Sequence, residues 1–344
     1  MHCGIDFGTS NTTLSIRQGD KPHLIALENN KTTIPSALFF PADKFARPLF
    51  GRAAVNAYLN GEEGRFMRSL KRVLGTSIMQ SGTTINGKRF GFPVLIGLFL
   101  RHIKDIAEQE SGEKLTSVTM GRPVHFQDKN PDADIKAEEE LRAIATTLGF
   151  KKVDFQYEPI AGAIAHERHL KNEQLAMVID IGGGTSDFSV IRLSPDNKPG
   201  RDRKKDILAN SGIRIGGNDC DKAINLHTAM PLLGMGGYYG EKNLEIPSSL
   251  YFDLSEWSKI LFSYTPQNKT WTRQLISMAQ EPEKIMLLEQ VLDEQLAHKI
   301  LNISEETKIT LSEEQQATLD YHFLQHDLRT DMSQEIMNNL FQKT

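Results

Sequence analysis

Apolar residues recur along this chain with two different periods, and the alternation between them predicts its elements. From Ile5 to Ile16 an apolar run breaks at Gly8-Thr9-Ser10 and resumes as a second alternating run, which reads as strand, tight turn, strand. Ile179 to Val190 repeats this pattern around Gly182-Gly183-Gly184-Thr185. The two segments align without a gap and share Ile-Asp-x-Gly and a later serine. Between them, Thr32 to Ser36 is a turn-rich stretch leading into the apolar run Ala37 to Phe40. A short helix is predicted over Arg52 to Leu59, and another over Phe66 to Leu74, ended by Gly75 and carrying Lys71 and Arg72 side by side. Val94, Leu95, Leu98, Phe99, Ile103 and Ile106 recur at helical spacing. A strand follows at Ser117 to Met120, then a helix from about Asp134 with Leu141, Ile144, Ala145 and Leu148 on one face and Gly149 as its stop.

Val153 to Tyr157 reads as a strand, Glu158-Pro159 opens a helix, and Leu175 to Ile181 is the strand entering the second turn. Beyond Asp187 the pattern runs through Ile207 to Ser211 and the turn Ile215 to Asp219. Residues from about Leu226 to Tyr251, rich in Gly and Pro, are expected to form loop, including the Met- and Gly-rich Met230 to Gly237. A polar helical region, Pro282 to Ile303, leads to Glu305 to Leu311, a strand at Ala317 to Leu324 and a final helix ending near Phe341. Strands alternating with helices specify an α/β architecture.

At 344 residues the chain is long enough for two domains, each with its own core. A net charge of -4 gives no electrostatic reason to expect nucleic acid or an anionic membrane, and the mixed-sign cluster Arg201 to Asp206 reads as a solvated loop. The start lacks a basic n-region and enters a strand at once, and the longest apolar run, near Phe92 to Leu100, is far short of a membrane span. A cytoplasmic setting is the expectation. Cys3 and Cys220 are too few for a disulfide framework or a zinc site and read as small core residues.

The turns carry the candidate chemistry. Glycines let a backbone approach an anion closely, successive N–H groups form a concave anion site, and Thr and Ser add hydroxyl donors. An aspartate beside such a turn would repel phosphate, so Asp6 and Asp180 suit a hydrated Mg2+. Two such turns facing each other would clamp a nucleotide tail. No Gly-Lys-Ser/Thr occurs and neither turn opens a helix, which excludes a Walker loop. One Asp-x-Gly turn alone reads equally as an ordinary hairpin; the duplication favours phosphate. By themselves Lys71 reads as a solvated surface lysine and Glu158 as a helix N-cap residue.

With these residues in place, the chain resembles the actin-like ATPases, and within them the nucleotide-binding domain of the heat-shock protein 70 (DnaK-type) chaperones, most closely the YegD-like branch. The motifs are Gly4-Ile5-Asp6-Phe7-Gly8-Thr9-Ser10-Asn11, Lys71-Arg72-Val73-Leu74-Gly75, Tyr157-Glu158-Pro159-Ile160-Ala161-Gly162-Ala163 and Asp180-Ile181-Gly182-Gly183-Gly184-Thr185-Ser186-Asp187, in the family's order. The resemblance implies an α/β, actin-like (ribonuclease H-like) two-lobed fold of duplicated βββαβα units. Lobe I would span 1–174 and lobe II 175–344, with a family-specific subdomain over about 221–324. Mg2+ would be held through water by Asp6 and Asp180, and the phosphates of ATP or ADP by Gly8, Thr9, Ser10, Asn11, Gly182, Gly183 and Gly184. Thr185 would touch the γ-phosphate, Lys71 and Glu158 would orient the attacking water, and Asp187 would serve as a further base or water-positioning carboxylate.

The resemblance extends to Gly216-Gly217-Asn218-Asp219 and to Ser304 through Ser312, where Glu305 and Lys308 fit a purine-contacting segment but Ile309 stands where the family has an arginine. It also implies that the chain is C-terminally short, lacking a second adenosine motif and a substrate-binding domain, so that ATP hydrolysis is expected to be weak or absent. A protein client or co-chaperone is implied as a kind of partner, beside the nucleotide. Two other classes share these features: a sugar- or acetate-type kinase of the same fold, and a nucleotide-sensing or filament-forming module with little turnover.

Overall fold

The computed structural model describes residues 1–342 apart from 20, 127–129, 168, 198–202 and 214. It divides into two compact units, Met1–Arg214 and Ile215–Thr344. The first unit opens with β1 (His2–Phe7), β2 (Asn11–Gln18), β3 (Lys21–Leu24), β4 (Thr33–Pro35), β5 (Ala37–Pro41), β6 (Leu49–Phe50) and α1 (Gly51–Leu59). It continues through β7 (Gly64–Arg68), β8 (Gly82–Ile85), β9 (Lys88–Gly91), α2 (Phe92–Ser111), β10 (Ser117–Arg122), α3 (Pro131–Thr147), β11 (Lys152–Tyr157) and α4 (Glu158–Glu167). It closes with β12 (Gln174–Ile181), β13 (Ser186–Leu193) and β14 (Ile207–Ile213).

The main sheet runs β11-β10-β1-β2-β3, with β4 paired to β2. β1 lies parallel to β10, and β10 to β11, while β2 returns antiparallel from β1. A second sheet, β12-β13-β14, is wholly antiparallel. The duplication seen in the sequence is a duplication of register. Asp6 sits opposite Thr13 and Phe7 opposite Thr12, and at the aligned positions Asp180 sits opposite Asp187 and Ile181 opposite Ser186. Thr12 and Ser186 are both buried hydroxyls just beyond their turns.

β1 buries Cys3, Ile5 and Phe7 on one face, where Phe7 meets Phe99 of α2 with ring centroids 6.0 Å apart. Burial pushes the Cys3 thiol up to about 12, which makes it an inert core residue. α2 runs its apolar face from Phe92 to Ala107 and stops at Gly112 (φ 70°). α3 starts at an Asn130 cap whose side chain accepts from the Ala133 N–H, and the chain leaves it through Gly149 (φ 90°).

The second unit consists of α5 (Gly217–Leu232), β15 (Tyr238–Tyr239), β16 (Leu244–Glu245), α6 (Ser249–Leu254), α7 (Ile260–Ser263), α8 (Pro266–Ile276), α9 (Pro282–Asp293), α10 (Ala297–Glu313), β17 (Gln316–Asp320), β18 (Arg329–Ser333) and α11 (Gln334–Phe341). Its core gathers Met230, Tyr251, Leu288, Val291, Ile300, Leu301 and Tyr321. Cys220 of α5 is half-buried. No helix among the described residues is long and apolar enough to cross a membrane.

Several expectations are corrected. Phe66 to Leu74 is not one helix: Phe66 and Met67 belong to β7, which pairs antiparallel with β5, and only a 3-10 turn at Leu70–Val73 follows, entered through Ser69 at φ 62°. Long-range strand pairing outweighs the local helical spacing there. Residues 226–251 are loop only in their middle: α5 continues to Leu232 with Met230 fully buried and Pro231 in its last turn, and α6 begins at Ser249, while 233–248 is turn apart from the short strands β15 and β16. The chain leaves that helix through Gly234 (φ 97°) and Gly236 (φ 79°). The strand expected over Ala317 to Leu324 ends at Asp320.

The Arg201 to Asp206 cluster is solvated only at Lys204 and Lys205, while Arg203 and Asp206 are buried; Arg201 and Asp202 lie outside the described residues. Arg203 is buried and grips Glu167 of α4 through both terminal nitrogens, at 2.8 and 2.9 Å, and also binds Asp206. Lys343 and Thr344, at the end of the chain, also lie outside the described residues.

Candidate functional site

All the residues of the first cluster belong to the first unit. The turn after β1 is fixed by Ser36, which follows β4 and is distant from it in sequence. The Ser36 N–H donates to the Ser10 carbonyl at 2.9 Å, its hydroxyl donates to the Gly8 carbonyl at 2.8 Å, and the Thr12 hydroxyl lies 2.9 Å from the Ser36 hydroxyl. Gly8 has no alternative: a Cβ there would fall 2.2 Å from the Asn11 carbonyl oxygen. The turn after β12 closes through the Gly182 N–H donating to the Thr185 carbonyl at 2.8 Å. The two turns approach each other, since a Cβ on Gly184 would lie 3.7 Å from Thr9 Cγ2 and 3.4 Å from Arg72 Nε.

Lys71 projects from the 3-10 turn at Leu70–Val73 and places its Nζ 3.0 Å from Oε1 of Glu158, the first residue of α4. Their side chains are only 11 and 21% exposed. A cavity of about 100 Å³ is lined by Thr9, Gly184 and Thr185 from the two turns, Lys71, Arg72 and Leu74 from the 3-10 turn, Glu158, and Pro123, His125 and Phe126 from the segment after β10. Gly121 in β10 lies beside the carboxylates, since a Cβ there would sit at ordinary contact distance, 3.5 Å from Glu158 Oε1 and 3.7 Å from Asp6 Oδ1.

The charges are unbalanced. Partial burial, then the Glu158 carboxylate, then Asp180, hold Asp6 above the usual carboxylate range, with Lys71 opposing. Partial burial and then Glu158 do the same to Asp180, again against Lys71. Three carboxylates therefore share this site with Lys71 and Arg72, an excess of negative charge that a divalent cation would relieve. Among the described residues no three His, Cys, Asp or Glu side chains converge to hold a metal unaided. A cation here would draw on water or substrate oxygens, which suits Mg2+.

Asp187 lies one strand over, opposite Asp180, with its Oδ1 2.7 Å from the Cβ position of Gly212 in β14. Gly216, Gly217, Glu305 and Lys308 form a separate group in the second unit. Gly216 caps α5, its N–H donating to Asp219 Oδ2 at 2.9 Å. Lys308 donates to the Gly217 carbonyl at 3.0 Å and pairs at 2.5 Å with Asp221, which is fully buried and also accepts from Trp257 Nε1 at 3.0 Å. Burial holds Asp221 above the usual range, with Lys308 opposing. Glu305 is on α10 with Lys308, one turn earlier.

Sequence reasoning missed Gly121, Arg72, Pro123, His125 and Phe126. Only Gly121 carried a signal, that of a glycine in a strand.

Residues 2–94 match the family model of Hsp70 protein, and residues 100–229 match that of MreB/Mbl protein. The fold is that of the actin-like ATPases. The chain is also similar to the chaperone protein DnaK of Ureaplasma urealyticum serovar 10 (strain ATCC 33699 / Western), with 30% identity over 223 residues, 64% of this chain and 34% of that protein. The match thus spans about a third of that relative's length. Both glycine turns, Lys71 and Glu158 fall within the segments matched by the two family models.

Proposed function

We propose that this chain is a Mg-ATP-binding protein of the heat-shock protein 70 type, of the YegD-like branch, that hydrolyses ATP slowly. The observation that carries the reading is the convergence of Thr9, Thr185, Lys71 and Glu158 on one cavity, with Asp6 and Asp180 beside them. In this reading the functional halves are 1–174 and 175–344, each opening on one phosphate-binding turn, with the helical stretch 221–324 as a branch-specific subdomain.

The backbone N–H groups of Gly8 to Asn11, Gly183 and Gly184 bind phosphate oxygens, Gly182 serves by closing its turn onto the Thr185 carbonyl, and the Thr9, Ser10 and Thr185 hydroxyls add donors. Asp6 and Asp180 would hold Mg2+ through water, and the ion would neutralise developing charge on the phosphate. Lys71 and Glu158, already hydrogen-bonded, orient the attacking water, and Asp187 stands as a further carboxylate for its proton. Gly216, Gly217, Glu305 and Lys308 supply the nucleoside side, with weaker purine selectivity because Ile309 offers no cation to the base. A protein client or co-chaperone is the kind of partner that this reading carries, in a cytoplasmic setting.

The test is single-turnover hydrolysis of ATP by the parent and by Lys71→Ala. A loss of roughly 100- to 10,000-fold with nucleotide binding largely retained is expected. Equal loss of binding and hydrolysis would make Lys71 a binding residue, and transfer of labelled phosphate to a sugar or acetate acceptor would replace the reading by a kinase.

A further inference from the structure

One wall of the cavity is built without a regular element. Pro123, His125 and Phe126 line it, and residues 123–126, which follow β10, belong to neither strand nor helix. Backbone groups that leave a ladder need other partners, and Pro123 brings no N–H of its own. A single side chain takes up two of the carbonyls. Arg122, the last residue of β10, is 8% exposed; its Nε donates to the Pro123 carbonyl at 3.0 Å and its Nη2 to the Val124 carbonyl at 3.1 Å. The same guanidinium binds two carboxylates of α3, Asp134 through Nη2 at 2.9 Å and Glu138 through Nη1. Asp134 in turn accepts the Phe126 N–H, so the wall is tied to the start of α3 at both its ends.

Arg122 reaches the residues around Glu158 as well. It sits opposite Tyr157 in the β10–β11 ladder, and its guanidinium lies 5.2 Å from the centres of both the Tyr157 and the Phe126 rings. Tyr157 immediately precedes Glu158, the partner of Lys71. α3 also holds the turn that bears Lys71. Glu140 accepts the Gly75 N–H at 2.8 Å where the chain leaves that turn, and a Cβ on Gly75 would fall 2.4 Å from the Ala133 carbonyl oxygen. Arg122 therefore ties the irregular wall to the helix that supports Lys71 and to the strand end that carries Glu158. Lysine would keep the charge, but its single nitrogen lacks the planar fork that meets Pro123, Val124, Asp134 and Glu138 at once.

We propose that Arg122 is a positioning residue of this site: by clamping residues 123–126 to α3, it fixes the gap in which Lys71 and Glu158 meet a bound phosphate. The inference rests on the nucleotide reading above and adds to it a residue that stands behind the cavity rather than in its lining. The expected effect is on rate more than on affinity, because a displacement of about 1 Å at a reacting centre can cost roughly 100-fold.

The test sets Arg122→Lys against Arg142→Lys. Arg142 belongs to the same seam between α3 and β11, bonding Glu138 at 3.0 Å and the Val153 carbonyl and lying over Phe155 at 4.9 Å, but none of these contacts reaches residues 123–126. Single-turnover ATP hydrolysis and the Kd of Mg-ADP are measured for each. The rate at which N-hydroxysuccinimide acetate modifies Lys71 in the nucleotide-free chain is read by mass spectrometry. Arg122→Lys should hydrolyse about ten- to 100-fold more slowly, keep its Kd within about three-fold, and expose Lys71 to labelling about five-fold faster, while Arg142→Lys stays near the parent in all three. Asp134→Ala frees the other end of the wall and should slow hydrolysis by a similar factor, with the double variant no slower than the slower single one. It carries the same comparison if Arg122→Lys does not fold. Equal losses in the two Arg→Lys variants, a fall in affinity as large as the fall in rate, or unchanged hydrolysis or labelling in Arg122→Lys overturn the proposal. A parent that hydrolyses no ATP overturns the nucleotide reading instead, and the labelling comparison then decides alone whether Arg122 sets the cavity.

Discussion

Lys71→Ala should destabilise the first unit in a pH-dependent way. Lys71 and Glu158 are 3.0 Å apart with side chains 11 and 21% exposed, so the substitution leaves a mostly buried carboxylate without its partner. Breaking a fully buried pair costs about 3–5 kcal/mol; the partial exposure here reduces the expectation to about 2 kcal/mol at neutral pH. Asp6 and Asp180 set the sign. Both are held above the usual carboxylate range by partial burial and by Glu158, and Lys71 opposes the shift in each. A carboxylate whose folded-state value is raised costs nothing while both states are protonated. It penalises the fold progressively as pH climbs from the unfolded value through the folded one. Removing Lys71 raises both groups further, so the deficit of the variant should grow with pH. Urea unfolding at pH 4.5 and 7.5, at low salt and without Mg2+, reads this directly. A deficit of about 2 kcal/mol at pH 7.5 that shrinks to below about 1 kcal/mol at pH 4.5 is expected. The same deficit at both values, or a variant as stable as its parent at pH 7.5, would refute the electrostatic argument.

Two further outcomes follow from the geometry. Gly8→Ala would drive a Cβ into the Asn11 carbonyl, 2.2 Å away, and should abolish calorimetric nucleotide binding while the chain keeps its far-ultraviolet spectrum; unaltered affinity would mean that the first turn is not a phosphate site. Glu108 is buried on α2, yet donors from Lys104 (2.5 Å), Lys114 (2.6 Å) and the Leu115 N–H (2.8 Å) outweigh burial and hold its carboxyl down to about 2. Its stabilisation is complete above the unfolded value near 4.5 and is lost as pH falls towards 2. Glu108→Gln should therefore cost about 2 kcal/mol at pH 7 and almost nothing at pH 2, read by denaturant titration.

The parts legible in the sequence were those written locally. The second turn, the period of α2, the stop at Gly149 and the opening of α4 at Glu158 depend on near neighbours, and each stands where the pattern placed it; the first turn does too, although the distant Ser36 also holds it. The missed parts depend on distant ones. Phe66 and Met67 satisfy a helical spacing but find β5 as a strand partner, so Lys71 stands on a 3-10 turn rather than a helix. Arg203 lies in a charge run that reads as solvent-facing until Glu167, far away in sequence, supplies a bidentate partner. Met230 sits among glycines and a proline, yet the packing of the second unit buries it within α5. Of the candidate site, the two glycine turns were readable because their pattern occurs twice. The wall from Pro123 to Phe126 was not, since nothing in those residue types signals a cavity until β10 delivers them beside Lys71.

The most direct measurement is calorimetric titration of Mg-ATP and Mg-ADP into the purified chain, beside Asp180→Ala. Saturable heat in the parent and none in the variant is the expected result, because the two turns and their aspartates then act as one phosphate clamp. Absence of binding in the parent, or equal binding by both proteins, would contradict a nucleotide site built on Asp6 and Asp180.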